Sequence, residues 1–258
     1  MTTGVGVACL SDSGFLPHYS MPMHPFSAKP SPLHSLLPIL DADWLAKVAL
    51  VGLADLQSYS EQAVNPINRM ARALADNAFA WTQLRCKQSP ALCELYCSVW
   101  MRALRWHAPT VQVILNDHLA LALQLQADGL HVGQEDMAVA ECRQQLGKGK
   151  WLGLSTHSLS EVLAANEQAV DYIGFGPVFP TQSKADAQAV QGLARLRQMC
   201  QAAERPLVAI GGIQGEHLPA IAACGASSAA MISALWDKEH WPQRLQQASQ
   251  RWSQAVLP

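Results

Sequence analysis

The sequence predicts an α/β fold, a (β/α)8 TIM barrel of parallel strands enclosed by helices. Short apolar runs with strand character alternate with segments of helical composition from Lys47 onward, and the runs number eight. The chain has 258 residues, of which 50% are hydrophobic, so it can form a single domain of this size. An open, doubly wound sheet is the alternative architecture.

Each predicted strand is a short, mostly apolar run that suits a parallel strand buried on both faces and is too short for a typical helix. In chain order the strands are residues 48–53, 79–84, 111–115, 129–132, 151–154, 172–175, 207–210 and 229–232. Longer segments of helical composition follow them, at residues 61–75, 92–106, 119–127, 138–146, 159–169, 192–203, 217–224 and 242–256. Such barrels place their active sites at the carboxyl ends of the strands.

The first 45 residues differ from the rest because six prolines interrupt any periodicity, at positions 17, 22, 25, 30, 32 and 38. Proline lacks a backbone donor and disfavours helix at the preceding residue, so only the end, about residues 41–45, is predicted to be helical. We therefore divide the chain into a Pro-rich N-terminal extension, residues 1–45, and a barrel, residues 46–258. We expect the helix at residues 41–45 to cover the N-terminal end of the barrel and the residues before about Pro32 to be dispensable.

Composition excludes several classes of protein. The formal net charge is −2 and no basic cluster occurs, so we expect neither a nucleic-acid partner nor a membrane partner. The seven cysteines lack the spacing of a metal site, and a chain this large folds without disulfides. Neither a membrane-spanning segment nor the basic start of a signal peptide is found. A soluble protein of the reducing cytoplasm is expected.

Two acidic residues follow neighbouring predicted strands, Asp117 after residues 111–115 and Asp136 after residues 129–132. The carboxyl ends of adjacent parallel strands meet at one rim, so the two carboxylates are expected there together. Carboxylate oxygens are preferred ligands of Mg²⁺. The alternative is that both residues only cap the helices that follow them.

The segment Gln83-Leu84-Arg85-Cys86-Lys87 places an amide and two cations at alternate positions. In an extended strand these three side chains share one face, and Leu84 and Cys86 point the other way. Cations on the inner face of a barrel are costly without an anion, so the pattern favours a clamp for polyphosphate over an exposed strand.

Further polar segments follow later strands. Ser155 and His157 are too close in sequence to act as a nucleophile with its base, and a hydrogen bond from Ser155 to substrate is expected. His157 either contacts ligand or begins the next helix. The glycines, hydroxyls and lysine of residues 171–184 suit an anionic ligand. Gly212 and Ser233 follow the last two strands, where barrels often bind phosphate through backbone N–H groups.

Taken in order, QLRCK, ILND, HVGQED, GLSTH, DYIGFGPVFPTQSK, AIGGI and MISA closely resemble the thiamine phosphate synthase family of (β/α)8 enzymes, over residues 48–235. The resemblance implies a Mg²⁺-dependent transferase that joins hydroxymethylpyrimidine diphosphate to hydroxyethylthiazole phosphate and releases diphosphate. It implies pyrimidine diphosphate-binding residues Gln83, Arg85, Lys87, Asn116, Ser155 and Lys184, of which Arg85, Lys184 and Ser155 are catalytic. It implies thiazole phosphate-binding residues Thr181, Ser183, Gly212, Ile232 and Ser233, and the Mg²⁺ ligands Asp117 and Asp136.

The chain departs from the family pattern at three positions. Cys86 replaces an acid, His118 replaces an arginine and Ser183 replaces a threonine while keeping the hydroxyl. Two alternatives therefore remain, a thiazole tautomerase-like paralogue and a non-catalytic, ligand-binding regulatory barrel. The sequence leaves open whether the protein forms a homo-oligomer.

Overall fold

In the computed structural model, residues 34–52, 56, 61–181 and 189–256 are described, and they form a closed barrel of parallel strands in the order of the chain. The strands are β1 Leu37–Asp41, β2 Trp81–Arg85, β3 Gln112–Asn116, β4 Gly129–Val132, β5 Trp151–Thr156, β6 Tyr172–Phe175, β7 Leu207–Ile210 and β8 Ser228–Met231. Pairing of β1 with β8 closes the ring, with Leu37 opposite Ala230. The predicted (β/α)8 barrel is confirmed.

Helices alternate with the strands around the barrel. They are α1 Ala42–Lys47, α2 Glu61–Asp76, α3 Pro90–His107, α4 Leu119–Gln124, α5 Val139–Leu146, α6 Leu159–Asn166, α7 Gly192–Ala202, α8 Leu218–Ala223 and α9 Trp241–Val256. A short 3-10 turn, Gly215–His217, precedes α8. No helix within the described ranges combines the length and the apolar character needed to cross a membrane.

The first strand is the main correction to the sequence analysis. We predicted it at residues 48–53, but residues 48–51 form turns after α1, and β1 is Leu37–Asp41. Pro38 led to the error because proline usually breaks a strand pattern, yet its carbonyl oxygen here accepts a hydrogen bond from Thr82 Oγ1 at 2.8 Å. Every residue of β1 is buried, as a barrel strand requires. The barrel therefore begins inside the range that we assigned to the extension.

Helix α1 confirms the predicted short helix but not its predicted place. It follows β1 directly and so lies at the carboxyl end of that strand, and not over the N-terminal end of the barrel. Asp41 caps it, because its Oδ1 accepts the Trp44 backbone N–H at 2.8 Å. Trp44 Nε1 donates to the Trp236 carbonyl, and Trp236 Nε1 donates to the Ile39 carbonyl. These bonds join the first strand to the loop after the last one.

Side chains of alternate strand residues fill the barrel interior in layers. An apolar cluster in the interior comprises Leu37, Ile39, Trp81, Ile114, Trp151, Tyr172, Val208, Ala230 and Ile232. Trp81 and Trp151 begin their strands and so fill the N-terminal end that we expected α1 to cover. A larger cluster lies between the strands and the helices. At the N-terminal end the polar residues that begin strands are bonded within the protein, since Gln112 accepts from Trp151 Nε1 and Ser228 donates to the Ser35 carbonyl.

Candidate active site

A cavity opens at the carboxyl end of the barrel, and its lining residues come from all eight strands and the start of the segment after β8. Its polar lining side chains come from β2 to β6 and are Gln83, Arg85, Asn116, His131, Ser155 and Tyr172. Apolar residues of the other strands complete the wall, among them Leu37, Ile39, Ile210 and Ile232. A pocket with few polar groups on an apolar wall is typical of a small-molecule site.

Strand β2 presents its residues as the alternation predicts. Gln83 and Arg85 line the cavity, whereas Leu84 and Cys86 lie in the apolar layer beneath the helices. Burial raises the pKa of the Cys86 thiol to about 12. Lys87 lies beyond the strand, with 49% of its side chain exposed. The replacement of an acid by Cys86 therefore leaves the inner face of this strand unchanged.

Asp41 pairs with Arg85 at the carboxyl ends of β1 and β2, beside the mouth of the cavity, and sequence analysis missed it. The two residues are opposite each other in the β1–β2 register, and Asp41 Oδ2 accepts from the Arg85 guanidinium. Only 2% of the Asp41 side chain and 11% of the Arg85 side chain are exposed. The signal was present, because Asp41 continues the alternation of Leu37 and Ile39, but it requires β1 to be placed correctly.

Lys87, Asp117 and Asp136 meet at the rim. The Lys87 ammonium forms an ion pair with Asp117, and the carboxyl group of Asp136 lies beside that of Asp117, close enough to raise its pKa. Burial raises the pKa of Asp117, Lys87 lowers it and Asp136 raises it, with a net shift above the ordinary value. Asp136 Oδ2 also accepts the Gly133 backbone N–H at 2.6 Å. The expectation that the two carboxylates share one rim is confirmed.

Neither aspartate caps the helix that follows it. The N-cap residue of α4 is His118 and that of α5 is Ala138, and neither helix has a side-chain cap hydrogen bond. Asp117 instead adopts a left-handed backbone conformation, with φ 64°, which is uncommon outside glycine. The capping alternative is therefore wrong, and an uncommon backbone conformation holds Asp117 at the rim.

The charges of the described part of the site leave it acidic. Two cations, Arg85 and Lys87, face three carboxylates, Asp41, Asp117 and Asp136. The described ranges contain no group of three or more His, Cys, Asp or Glu side chains that could hold a metal ion. Two touching carboxylates suit Mg²⁺, which commonly takes one or two carboxylates and fills its other positions with water and phosphate oxygens. The donor set therefore fits such an ion.

Ser155 contacts His131, a residue that sequence analysis treated only as part of an apolar run. Ser155 Oγ lies 2.9 Å from His131 Nε2, and Tyr172 Oη lies 3.0 Å from His131 Nδ1. His157 instead pairs with Glu161 at the start of α6 and does not line the cavity. The position of His131 between Gly129 and Gly133 on one strand face is the signal that could have identified it.

The predicted thiazole phosphate residues lie on neighbouring loops where they are described. Gly212 has φ 63°, and a Cβ there would lie 2.2 Å from the Pro180 carbonyl oxygen, so only glycine allows the loop after β6 to approach this closely. Ile232 lines the cavity, and Ser233 is half-buried beside it. Thr181 ends the described part of its loop, and Ser183 and Lys184 lie outside the described residues.

Comparison with known proteins agrees with this arrangement. The family model described as thiamine monophosphate synthase matches residues 57–235. The chain belongs to that family. The match begins after β1, so it covers β2 to β8.

Curated members of the thiamine monophosphate synthase family share much of the sequence. The chain is 42% identical over 167 residues to a thiamine-phosphate synthase of Latilactobacillus sakei, covering 64% of this chain and 69% of that one. It is 44% identical over 168 residues to that of Methanocella arvoryzae, covering 65% and 78%. A thiamine phosphate pyrophosphorylase structure from Pyrococcus furiosus, 24% identical, superposes with a TM-score of 0.69 over 88% of this chain and 98% of that one. That likeness shows a shared fold.

Proposed function

We propose that the chain is a Mg²⁺-dependent thiamine phosphate synthase that joins hydroxymethylpyrimidine diphosphate to hydroxyethylthiazole phosphate and releases diphosphate. The observation that carries the proposal is the contact of Asp117 with both Asp136 and Lys87 at the rim of the cavity. Family membership and the names of the curated relatives support the reaction.

The diphosphate of the first substrate would lie against the side chains that follow β2, β3 and β5. Gln83, Arg85, Asn116 and Ser155 would supply donors inside the cavity, and Lys87 would supply charge at the rim. Lys184, which follows β6 in the sequence, would add a further cation. The cations of the described residues already face an excess of carboxylates, so a diphosphate alone would be poorly neutralised. This charge balance is the argument for a divalent cation.

Asp117 and Asp136 would hold Mg²⁺ together with water and diphosphate oxygens. When bound, the ion would neutralise the charge that develops on the departing diphosphate. Its binding would also relieve the repulsion between the two carboxylates, because their negative charges would then face a cation. Lys87, which forms an ion pair with Asp117, would lie beside the same diphosphate leaving group.

The second substrate would lie against the loops that follow β6, β7 and β8. Thr181, Ser183 and Ser233 carry hydroxyls, Gly212 allows close approach of the backbone, and Ile232 supplies an apolar contact. Phosphate binding at this part of the rim would aim the thiazole nitrogen at the pyrimidine methylene carbon.

The side chains need not transfer a proton for this reaction. The bond between the pyrimidine methylene carbon and the diphosphate oxygen breaks, its electron pair leaves with diphosphate, and the thiazole nitrogen lone pair forms the new C–N bond. Arg85, Lys184 and Ser155 would stabilise charge on the leaving oxygen more strongly in the transition state than in the bound substrate. The protein would also hold the two reactants in line.

The two alternatives have less support. A thiazole tautomerase-like paralogue has no use for a metal and diphosphate apparatus, yet the Asp117–Asp136 pair and the inward-facing Gln83 and Arg85 are all present. A regulatory barrel would bind ligands without turnover. The six cysteines in the described ranges are free thiols, which supports a location in the cytoplasm for any of the three.

A product assay separates the three functions. Purified full-length protein is supplied with both substrates and Mg²⁺, and thiamine phosphate and diphosphate are measured together, with each substrate and Mg²⁺ omitted in turn. The proposal predicts equal amounts of both products and no product in any omission. Isomerised thiazole phosphate without diphosphate would identify the tautomerase, and ligand binding without either product would identify the regulatory barrel.

A further inference from the structure

Three inward-facing residues form a hydrogen-bonded triad in the barrel, in which His131 on β4 lies between Tyr172 on β6 and Ser155 on β5. Tyr172 Oη lies 3.0 Å from His131 Nδ1, and His131 Nε2 lies 2.9 Å from Ser155 Oγ. Tyr172 is fully buried, His131 is 9% exposed and Ser155 is half-buried at the cavity wall. The triad therefore extends from the barrel interior to the candidate site.

Two glycines leave room for the side chains of this triad. A Cβ on Gly153 would lie 2.1 Å from Tyr172 Cζ and 2.5 Å from His131 Nδ1. A Cβ on Gly174 would lie 3.1 Å from His131 Cε1. Since both strands lack a side chain where the rings lie, the two rings can stack with centroids 5.4 Å apart. The contact is thus built into three neighbouring strands.

Burial determines the direction of the hydrogen bonds. Burial raises the pKa of Tyr172 far above its ordinary value, so its hydroxyl keeps its hydrogen. A buried hydroxyl that fails to donate is costly, and His131 Nδ1 lies within hydrogen-bond distance of Tyr172 Oη. A neutral imidazole that accepts at Nδ1 carries its hydrogen on Nε2, and Nε2–H then donates to Ser155 Oγ.

We propose that Tyr172 is a positioning residue, which fixes the Nε2–H tautomer of His131 so that the Ser155 hydroxyl hydrogen is directed into the cavity. Ser155 Oγ accepts from His131 and keeps its own hydrogen for an anion. In the opposite tautomer, Ser155 would donate to Nε2 and would have no hydrogen left for substrate. The proposal rests on the proposed function only in naming that anion as the diphosphate.

The tautomer is measured without any substrate. Two-bond ¹H–¹⁵N correlations of histidine-labelled protein distinguish Nε2–H from Nδ1–H imidazoles, and His131→Asn identifies the His131 signals. We expect pure Nε2–H in the wild type and a mixture of tautomers in Tyr172→Phe. Tyr96→Phe is the matched control, because Tyr96 is equally buried and donates to the Leu40 carbonyl in the outer layer. An Nδ1–H wild type, or a tautomer unchanged by Tyr172→Phe, would overturn the proposal.

The effect on Ser155 is measured by titration calorimetry, as the affinity of the protein for inorganic pyrophosphate in the presence of Mg²⁺. Tyr172→Phe should weaken binding by about fivefold, the size of one hydrogen bond, and Tyr96→Phe should not. In a Ser155→Ala background the Tyr172→Phe effect should disappear, because the hydroxyl that it positions is gone. An undiminished effect in that background would refute the positioning role. Failure of the wild type to bind pyrophosphate would instead reject the diphosphate site and the donor role of Ser155, leaving the tautomer result to stand independently.

Discussion

His118 Nε2 lies 3.3 Å from the backbone carbonyl oxygen of Cys86, so the imidazole donates across the gap between the loops after β2 and β3. Cys86 and His118 are two of the three positions at which the chain departs from the family pattern, and the structure brings them together. The bond joins the residue before Lys87 to the residue after Asp117, and Lys87 and Asp117 are themselves an ion pair. The hydrogen bond from His118 therefore links the loop that carries Lys87 to the loop that carries Asp117.

Loss of that bond should loosen the part of the site that we propose for Mg²⁺ and diphosphate. We expect His118→Ala to raise the Mg²⁺ concentration that gives half-maximal turnover by about fivefold, the size of the effect of one hydrogen bond. His118→Gln, whose amide nitrogen can replace Nε2 as the donor, should restore most of the difference. His107→Ala, at the far end of α3, is the control. Equal effects of the Ala and Gln variants would show that the bond has no such role.

Asp41 should matter for stability as well as for the position of Arg85. Asp41→Asn keeps a side-chain cap for α1 but leaves the buried guanidinium unpaired, so we expect the free energy of unfolding to fall by about 3 kcal/mol. Asp43→Asn, an exposed change in the same helix, should alter it by less than about 0.5 kcal/mol. Urea denaturation measures both variants. A loss for Asp41→Asn no larger than the control would mean that the pair contributes nothing net.

A substitution of Ser233 tests the proposed positions of the two substrates. Because it follows β8, we expect Ser233→Ala to raise the Michaelis constant for the thiazole phosphate more than that for the pyrimidine diphosphate. Ser227→Ala, a half-buried serine before the same strand, should change neither constant. Steady-state kinetics with each substrate varied in turn measures the effect. An increase confined to the diphosphate substrate would reverse the assignment of the two subsites.

The division of the chain near residue 45 leads to a deletion experiment. Residues 1–33 lie outside the described residues, and we predict from composition that deleting residues 1–29 leaves the melting temperature and activity nearly unchanged. Deleting residues 1–45 removes β1 and should abolish cooperative unfolding, a larger effect than the loss of several kcal/mol expected from apolar burial alone. Loss of activity in a folded 1–29 deletion would place the N-terminal segment in the site.

The limits of the sequence analysis have physical causes. The barrel and its order of elements followed from apolar periodicity, and seven of the eight strands lay within about two residues of their predicted positions. Pro38 concealed β1, because whether a proline fits a strand depends on partners such as Thr82 that only the fold provides. With β1 misplaced, the Asp41–Arg85 pair could not be found. His131 was missed since its partners, Tyr172 and Ser155, are distant in sequence.

Asp117→Asn tests the central proposal, that the neighbouring carboxylates Asp117 and Asp136 hold the Mg²⁺ on which turnover depends. Diphosphate release with both substrates is measured over a range of Mg²⁺ concentrations, with Asp76→Asn, an exposed change at the end of α2, as the matched control. We predict that Asp117→Asn lowers turnover at least about tenfold, equivalent to about 1.4 kcal/mol, at every concentration, with an unchanged melting temperature. Turnover within about threefold of wild type, with the same Mg²⁺ dependence, would contradict the account.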